Sequence, residues 1–408
     1  MSLADTQVLP GARRAPVHRP GSSPARSKAM QSKPGETSCA GPSEPRSGRA
    51  RAPTPPGRAV GPGRLGDACE GARMTTSLNE LAITGPLLTG LDLDGGRLRE
   101  LLSLAARLKD GAAGEPAAEP LRGKSIALVL QRPAPRSRAA VETAAAELGA
   151  GTTVLSAASL RKPPAATARA LSRDFDGIAY AGTDHDALVR LARAATVPVW
   201  NLGTDSWRPV QAVADILTMR ELDGGDLAGI AFCFTGDARA PIAASLLTTG
   251  ASLGMDVRIA APVHMRPPAG VLSRVHDLAR RSGARVLITT DARDAVAGAG
   301  FVHTAAWVTT DLPFHSLLAR VQALVPYRVT GQLLRATGRT DARFMHGLPA
   351  VHDAESPVGR RLYRQFGLTG AEVTEAVYGS PQSVVVQQAA NRVPAAKALL
   401  LSALAPAR

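Results

Sequence analysis

Three arginines, Arg132, Arg136 and Arg138, crowd one short stretch from Gln131 to Arg138, and the residues around them suggest anion chemistry. The apolar run Ser125–Leu130 before it reads as a buried parallel strand, and Ala139 to Leu148, closed by Gly149, reads as a helix. A strand, a short loop and a helix start turn free backbone N–H groups and the positive helix end toward an anion. Arg132, Arg136 and Arg138 are the groups that would meet it, and a solvated basic loop is the competing reading. Elsewhere the residue types argue against metal chemistry. His303, His315 and His352 have no metal-ligand spacing, nor do Cys39, Cys69 and Cys233, so neither a metal nor a cofactor is expected. Cys233, inside Ala231-Phe232-Cys233-Phe234, reads as a buried core thiol.

Short apolar runs alternate with helical patterns as far as Pro349. Strands are expected at Ser125–Leu130, Thr152–Leu155, Gly177–Tyr180, Val197–Trp200, Ile230–Phe234, Asp256–Ala260, Arg285–Thr289, Phe301–Val308 and Arg343–His346. Helices are expected between most of them, with a further one over Leu98–Leu108 and a long apolar one over Ala389–Leu404. This alternation means α/β architecture with parallel sheets covered on both faces. Asp223-Gly224-Gly225-Asp226 reads as a hinge, which predicts two doubly wound domains and a C-terminal helix packing back across them. The expected boundaries are a disordered tail at 1–73, domains at 74–222 and 223–382, and the final segment at 383–408. Ligands in such folds bind beyond the carboxyl ends of the strands. That rule gathers Arg132–Arg138, Arg208 and Gln211, Asp237, Thr309, and His346, Gly347 and Leu348 at one crevice.

The chain has 408 residues and a formal net charge of +14. Residues 1–73 hold twelve Lys and Arg against five Asp and Glu, half of that excess, together with 11 Pro and 10 Gly. Such a composition cannot offset the entropy of ordering a chain, so disorder is expected there. No aromatic residues interleave the charges for base stacking, which disfavours a nucleic-acid arm. Met74 could instead be the true start, and a transit peptide is a third reading. No apolar run reaches the ~18 residues of a membrane span, and the few cysteines suit a reducing, cytoplasmic setting.

Several segments together resemble the ornithine/aspartate carbamoyltransferases, the ornithine branch most closely, over roughly Leu91 to Leu404. Phe344-Met345-His346-Gly347-Leu348-Pro349 resembles the family's Phe-Met-His-Cys-Leu-Pro. Arg208-Pro209-Val210-Gln211-Ala212 resembles its His-Pro-Cys-Gln-Ala, and Ser383-Val384-Val385 with Asn391-Arg392 resembles its C-terminal motif. The resemblance implies transfer of a carbamoyl group from carbamoyl phosphate to ornithine, in a homotrimer. It assigns Arg136, Ser137 and Arg138 to phosphate, Arg208, Gln211 and Arg392 to the reacting carbonyl, and Asp237, Thr309, His346, Gly347 and Leu348 to the second-substrate side. The departures are as specific as the matches. Where the family's phosphate loop reads Ser-Thr-Arg-Thr-Arg, this chain has Ala134-Pro135-Arg136-Ser137-Arg138. Ala181 stands for a further arginine, Arg208 for a histidine, Gly347 for a cysteine, and Ala305 for the carboxylate that holds the ornithine amine. Two readings remain open: a diverged paralogue with that activity weakened or lost, and an active carbamoyltransferase with a changed amine or anion in which Arg208 replaces the histidine.

Overall fold

The computed structural model describes residues 83, 85–110, 119–156, 163–308 and 313–405, all within one compact unit, Ala72–Arg408. The expected tail at 1–73, Thr309, and the loop around Arg161 and Lys162 lie outside the described residues. Helix α1 (Gly95–Lys109) leads into strand β1 (Ser125–Leu130), α2 (Pro135–Glu147), β2 (Gly151–Ser156), α3 (Pro164–Asp174), β3 (Gly177–Ala181), α4 (His185–Ala194), β4 (Val199–Gly203) and α5 (Pro209–Asp223). The four strands form a parallel sheet in the order β2-β1-β3-β4. Alternate side chains of β1 enter different layers. Ile126 and Leu128 pack with Leu101, Val141 and Ile216, whereas Ala127 and Val129 pack with Leu171 and Leu188. A strand buried on both faces reads as an unbroken apolar run, which is why β1 was legible.

Beyond α5 the backbone turns through Gly224 and Gly225, at φ 93° and 112°. Side chains with a Cβ rarely adopt those angles, so this connection needs glycine. The second unit runs β5 (Ala231–Thr235), α6 (Pro241–Ser252), β6 (Asp256–Ala260), α7 (Ala269–Ser282), β7 (Arg285–Thr289), α8 (Ala292–Val296), β8 (Phe301–Thr304), α9 (Phe314–Leu324), α10 (Gly331–Arg335) and β9 (Arg343–His346). Its parallel sheet has the order β7-β6-β5-β8-β9. Phe232 and Phe234 face the α6 layer, and Cys233 faces the layer of Val296 and Leu333. Burial pushes the Cys233 thiol up to about 12. A thiol so protonated is a poor nucleophile. Iodoacetamide at pH 8 should therefore leave the Cys233 peptide unmodified in the native protein and alkylate it in urea, as peptide mass mapping will show.

The chain closes with α11 (Pro357–Phe366), α12 (Glu375–Tyr378), α13 (Val385–Ala390) and α14 (Arg392–Leu404). The two parallel-sheet domains agree with the expectation, and the C-terminal helix does return, with α14 packing against α1, α2 and α5 of the first domain rather than evenly across both. Besides end shifts of one to three residues, as at β4 (Val199–Gly203 against the expected Val197–Trp200), three details differ. The helix expected from Ala139 begins at Pro135, because proline suits the first helical position, where its missing N–H costs nothing. The strand expected over Phe301–Val308 stops at Thr304, where its ladder with β9 ends. The single helix expected over Ala389–Leu404 breaks at Asn391. Pro394 has no N–H for a continuous ladder, and Asn391 Nδ2 instead donates to Thr218 Oγ1 and Glu221 Oε2, both at 2.9 Å. Among the described residues, no helix is long and apolar enough to cross a membrane, and no group of His, Cys, Asp and Glu is placed to hold a metal ion.

Candidate functional site

At the carboxyl ends of β1 and β4 lies a cavity of about 210 Å³, lined by Arg132, Pro133, Ala134, Pro135, Arg136, Ser137, Leu202, Arg208, Gln211, Gly347, Leu348, Pro349 and Arg392. Two helices begin here, α2 and α5, each with proline in its first turn and neither with a side-chain cap. Uncapped N-termini present free N–H groups and partial positive charge. Four guanidinium groups add to them, and no carboxylate is among the lining residues.

The fold places these arginines in different ways. Arg132 follows β1 and donates from Nε to the Gly182 carbonyl at 3.1 Å and from Nη2 to the Gly203 carbonyl at 3.5 Å, at the ends of β3 and β4. Gly203 has φ 143°, and a Cβ there would lie 3.2 Å from Arg208 Nη1 and 3.5 Å from Arg132 Nη2, so glycine leaves room for both guanidinium groups. The Arg208 N–H donates to Ser245 Oγ of α6 at 2.8 Å, which ties the start of α5 to the second domain. Arg392 is buried, and its Nε has no hydrogen-bond partner. An anion would satisfy that donor.

The crowding has an electrostatic cost. Burial first, and then the charges of Arg132, Arg392 and Arg136, together lower the Arg208 pKa to about 10. Arg392 is lowered mainly by burial and then by Arg136, with Asp215 opposing, and burial also lowers Arg136. Asp215, fully buried one turn along α5 from Gln211, lies behind the cavity wall. It accepts from Gln211 Nε2 and, at 2.7 Å, from Gln388 Nε2, while His303 Nε2 sits 3.1 Å from its other oxygen.

The residues singled out in the sequence divide clearly. Arg136, Ser137, Arg208, Gln211, Gly347, Leu348 and Arg392 come together at the cavity, and Arg132 joins them. Arg138 points away and pairs with Glu142 at 2.9 Å. His346 is buried below the cavity, with Nε2 3.1 Å from Glu372 Oε1. Burial holds its imidazole below the usual range, against the pull of Glu372. Asp237 is not among the lining residues. Its carboxylate accepts from Arg239 Nε at 2.9 Å and from Arg320 Nη2. Burial pushes that carboxyl up, but the two arginines outweigh burial and hold it below its ordinary value. Removing one member of a buried pair leaves uncompensated charge. With partly exposed arginines, Asp237→Ala should cost about 2 kcal/mol in urea unfolding, and the loss should shrink as acid protonates the wild-type carboxyl below pH 4. The Ala305 Cβ lies 3.5 Å from where a Cβ on the cavity-lining Gly347 would be.

The chain is thus a two-domain parallel α/β protein with an arginine-lined cavity at the carboxyl ends of its strands, where folds of this class bind ligands. Residues 86–221 match the aspartate/ornithine carbamoyltransferase carbamoyl-P binding domain, and residues 228–403 match the Asp/Orn binding domain of the same family. The chain belongs to the aspartate/ornithine carbamoyltransferase family. A catabolic ornithine carbamoyltransferase of Pseudomonas putida is 40% identical over 314 residues, 76% of this chain and 94% of the relative. An ornithine carbamoyltransferase of Haemophilus influenzae is 39% identical over the same shares. Among solved structures, the ornithine carbamoyltransferase of Pyrococcus furiosus superposes with a TM-score of 0.70 at 33% identity, covering 78% of this chain and 96% of that one. That of Gloeobacter violaceus gives 0.68 at 33% identity, covering 80% and 100%.

Proposed function

We propose that this chain is a diverged ornithine carbamoyltransferase-type protein that binds a small anion of the carbamoyl phosphate class and in which ornithine carbamoylation is weakened or lost. Relatives named for that reaction, which yields citrulline and phosphate, support the donor class. The observation that carries the reading is the charge of the cavity: four guanidinium groups and two helix N-termini, without a lining carboxylate. Such a site attracts a phosphate dianion and repels an amino acid with two ammonium groups. Each hydrogen bond to a charged group contributes roughly 1.5–3 kcal/mol. Arg132 and Arg208 can therefore offset the hydroxyl missing at Ala134 and the arginine missing at Ala181, whereas Ala305 itself carries no carboxylate.

Arg208 favours the second reading, an active carbamoyltransferase with a changed acceptor, because its guanidinium could donate to a reacting carbonyl oxygen as a histidine does. A melting screen with phosphate, carbamoyl phosphate, ornithine and other amines separates the readings. Stabilisation by the two phosphates alone, with no citrulline at high protein concentration, supports the first. Turnover with another amine supports the second, and no response to any anion defeats both. A cytoplasmic homotrimer serving arginine metabolism is the setting that the family resemblance suggests, and light scattering would test the assembly.

A further inference from the structure

The two walls of the cavity belong to different domains, and one buried side chain bonds to the supports of both. Gln388, on α13 and 1% exposed, donates from Nε2 to Asp215 Oδ1 at 2.7 Å and accepts at Oε1 from the His346 N–H at 3.0 Å. Asp215 orients Gln211 on the first-domain wall. His346 is where β9 gives way to Gly347, Leu348 and Pro349 on the opposite wall. That loop is held at its far end as well, since Glu372 Oε1, which takes His346 Nε2, also accepts from the Val351 N–H at 2.7 Å. A chain of hydrogen bonds thus runs from Gln211 through Asp215, Gln388, His346 and Glu372 to Val351. The four middle side chains are almost wholly buried.

The requirement on residue 388 is narrow. A primary amide can donate to a carboxylate and accept from a backbone N–H at once. A carboxylate there would face Asp215 with like charge, and methionine would match the length while doing neither. In a buried setting both bonds are strong and costly to leave unmade. The geometry points to Gln388 as a positioning residue: it sets the separation of the two walls, and anion affinity depends on it although it does not line the cavity. The affinity part rests on the anion-binding reading above, and the wall-coupling part does not.

The experiment compares the full-length wild type with Gln388→Met and with Val377→Ala, a control in the second-domain core on α12. Phosphate affinity is measured by calorimetry at a temperature where all three are folded. Peptide-resolved hydrogen exchange without phosphate follows residues 208–216, 343–351 and, as reference, 255–260. Gln388→Met should weaken phosphate binding at least tenfold and speed exchange in both wall segments, with 255–260 unchanged. Val377→Ala should lower the melting temperature yet leave affinity within about twofold. Wild-type affinity in Gln388→Met would overturn the positioning role, as would faster exchange on one wall only or equally in the reference. Should the wild type bind no phosphate, the anion reading fails, and the exchange pattern alone decides whether Gln388 couples the walls.

Discussion

Arg208→Met should raise the melting temperature of the ligand-free protein while removing most of its stabilisation by phosphate. The two effects have one cause. Burial and the neighbouring arginines lower Arg208 well below the usual guanidinium range, to about 10, so at neutral pH the folded protein carries a charge it disfavours by about 3 kcal/mol relative to the unfolded chain. Methionine keeps the apolar stem and removes that charge. Some packing is lost, so a net gain of about 1–2 kcal/mol, a few degrees, is expected. The same substitution deletes a charge-assisted donor, which should weaken phosphate ten- to a hundredfold. Calorimetric unfolding with and without phosphate reads both. The pH dependence follows in sign. A bound anion favours protonated Arg208, so wild-type affinity for sulfate should hold from neutral pH and fall as pH rises through about 10. The variant should lack that step. Lower ligand-free stability in Arg208→Met, with unchanged phosphate binding, would show that Arg208 is a structural cation.

Ala305→Asp should increase citrulline formation from ornithine by one to two orders of magnitude. Ala305 lies against Gly347 at the crevice, and the family resemblance implies a carboxylate there for the ornithine amine. An ion pair formed in a partly buried crevice can supply about 1.5–3 kcal/mol of substrate binding and orientation. The gain should appear as a lower KM for ornithine, with affinity for phosphate unchanged, because the anion arginines are untouched. Steady-state assays with a citrulline-specific readout decide it. A variant that stays folded, binds phosphate and remains inactive would mean that the acceptor side differs from its relatives at more than this residue.

The sheets were legible because β1, β3 and β5 are apolar on both faces, and such runs between glycines and prolines leave few alternatives. The anion turn was legible as a clustering of arginines, but not which of them would face the cavity. Arg138 follows Arg136 by two residues on a helix, so the two diverge, and Glu142 one turn later captures the outer one. Arg132 gains its role from carbonyls fifty and seventy residues away, a relation that no local pattern carries. His303 carries no partner spacing in the sequence, and only the fold brings it to Asp215. Gln388 left no signal either, because a glutamine on a short helix is indistinguishable by type from a solvated one.

The placement of α14 bears on how the protein is made. Leu399, Leu400 and Leu404 belong to the same apolar layer as Leu101, Val141 and Ile216 of the first domain. A ribosome therefore finishes β1 to α5 long before it supplies the last helix of that layer, and the exposed apolar face must wait through the synthesis of the entire second domain. During that interval the nascent first domain is a natural client for chaperones. For the same reason, a fragment ending near residue 221 should be recovered mainly as aggregate, and it should be rescued by co-expressing the final helix as a separate peptide.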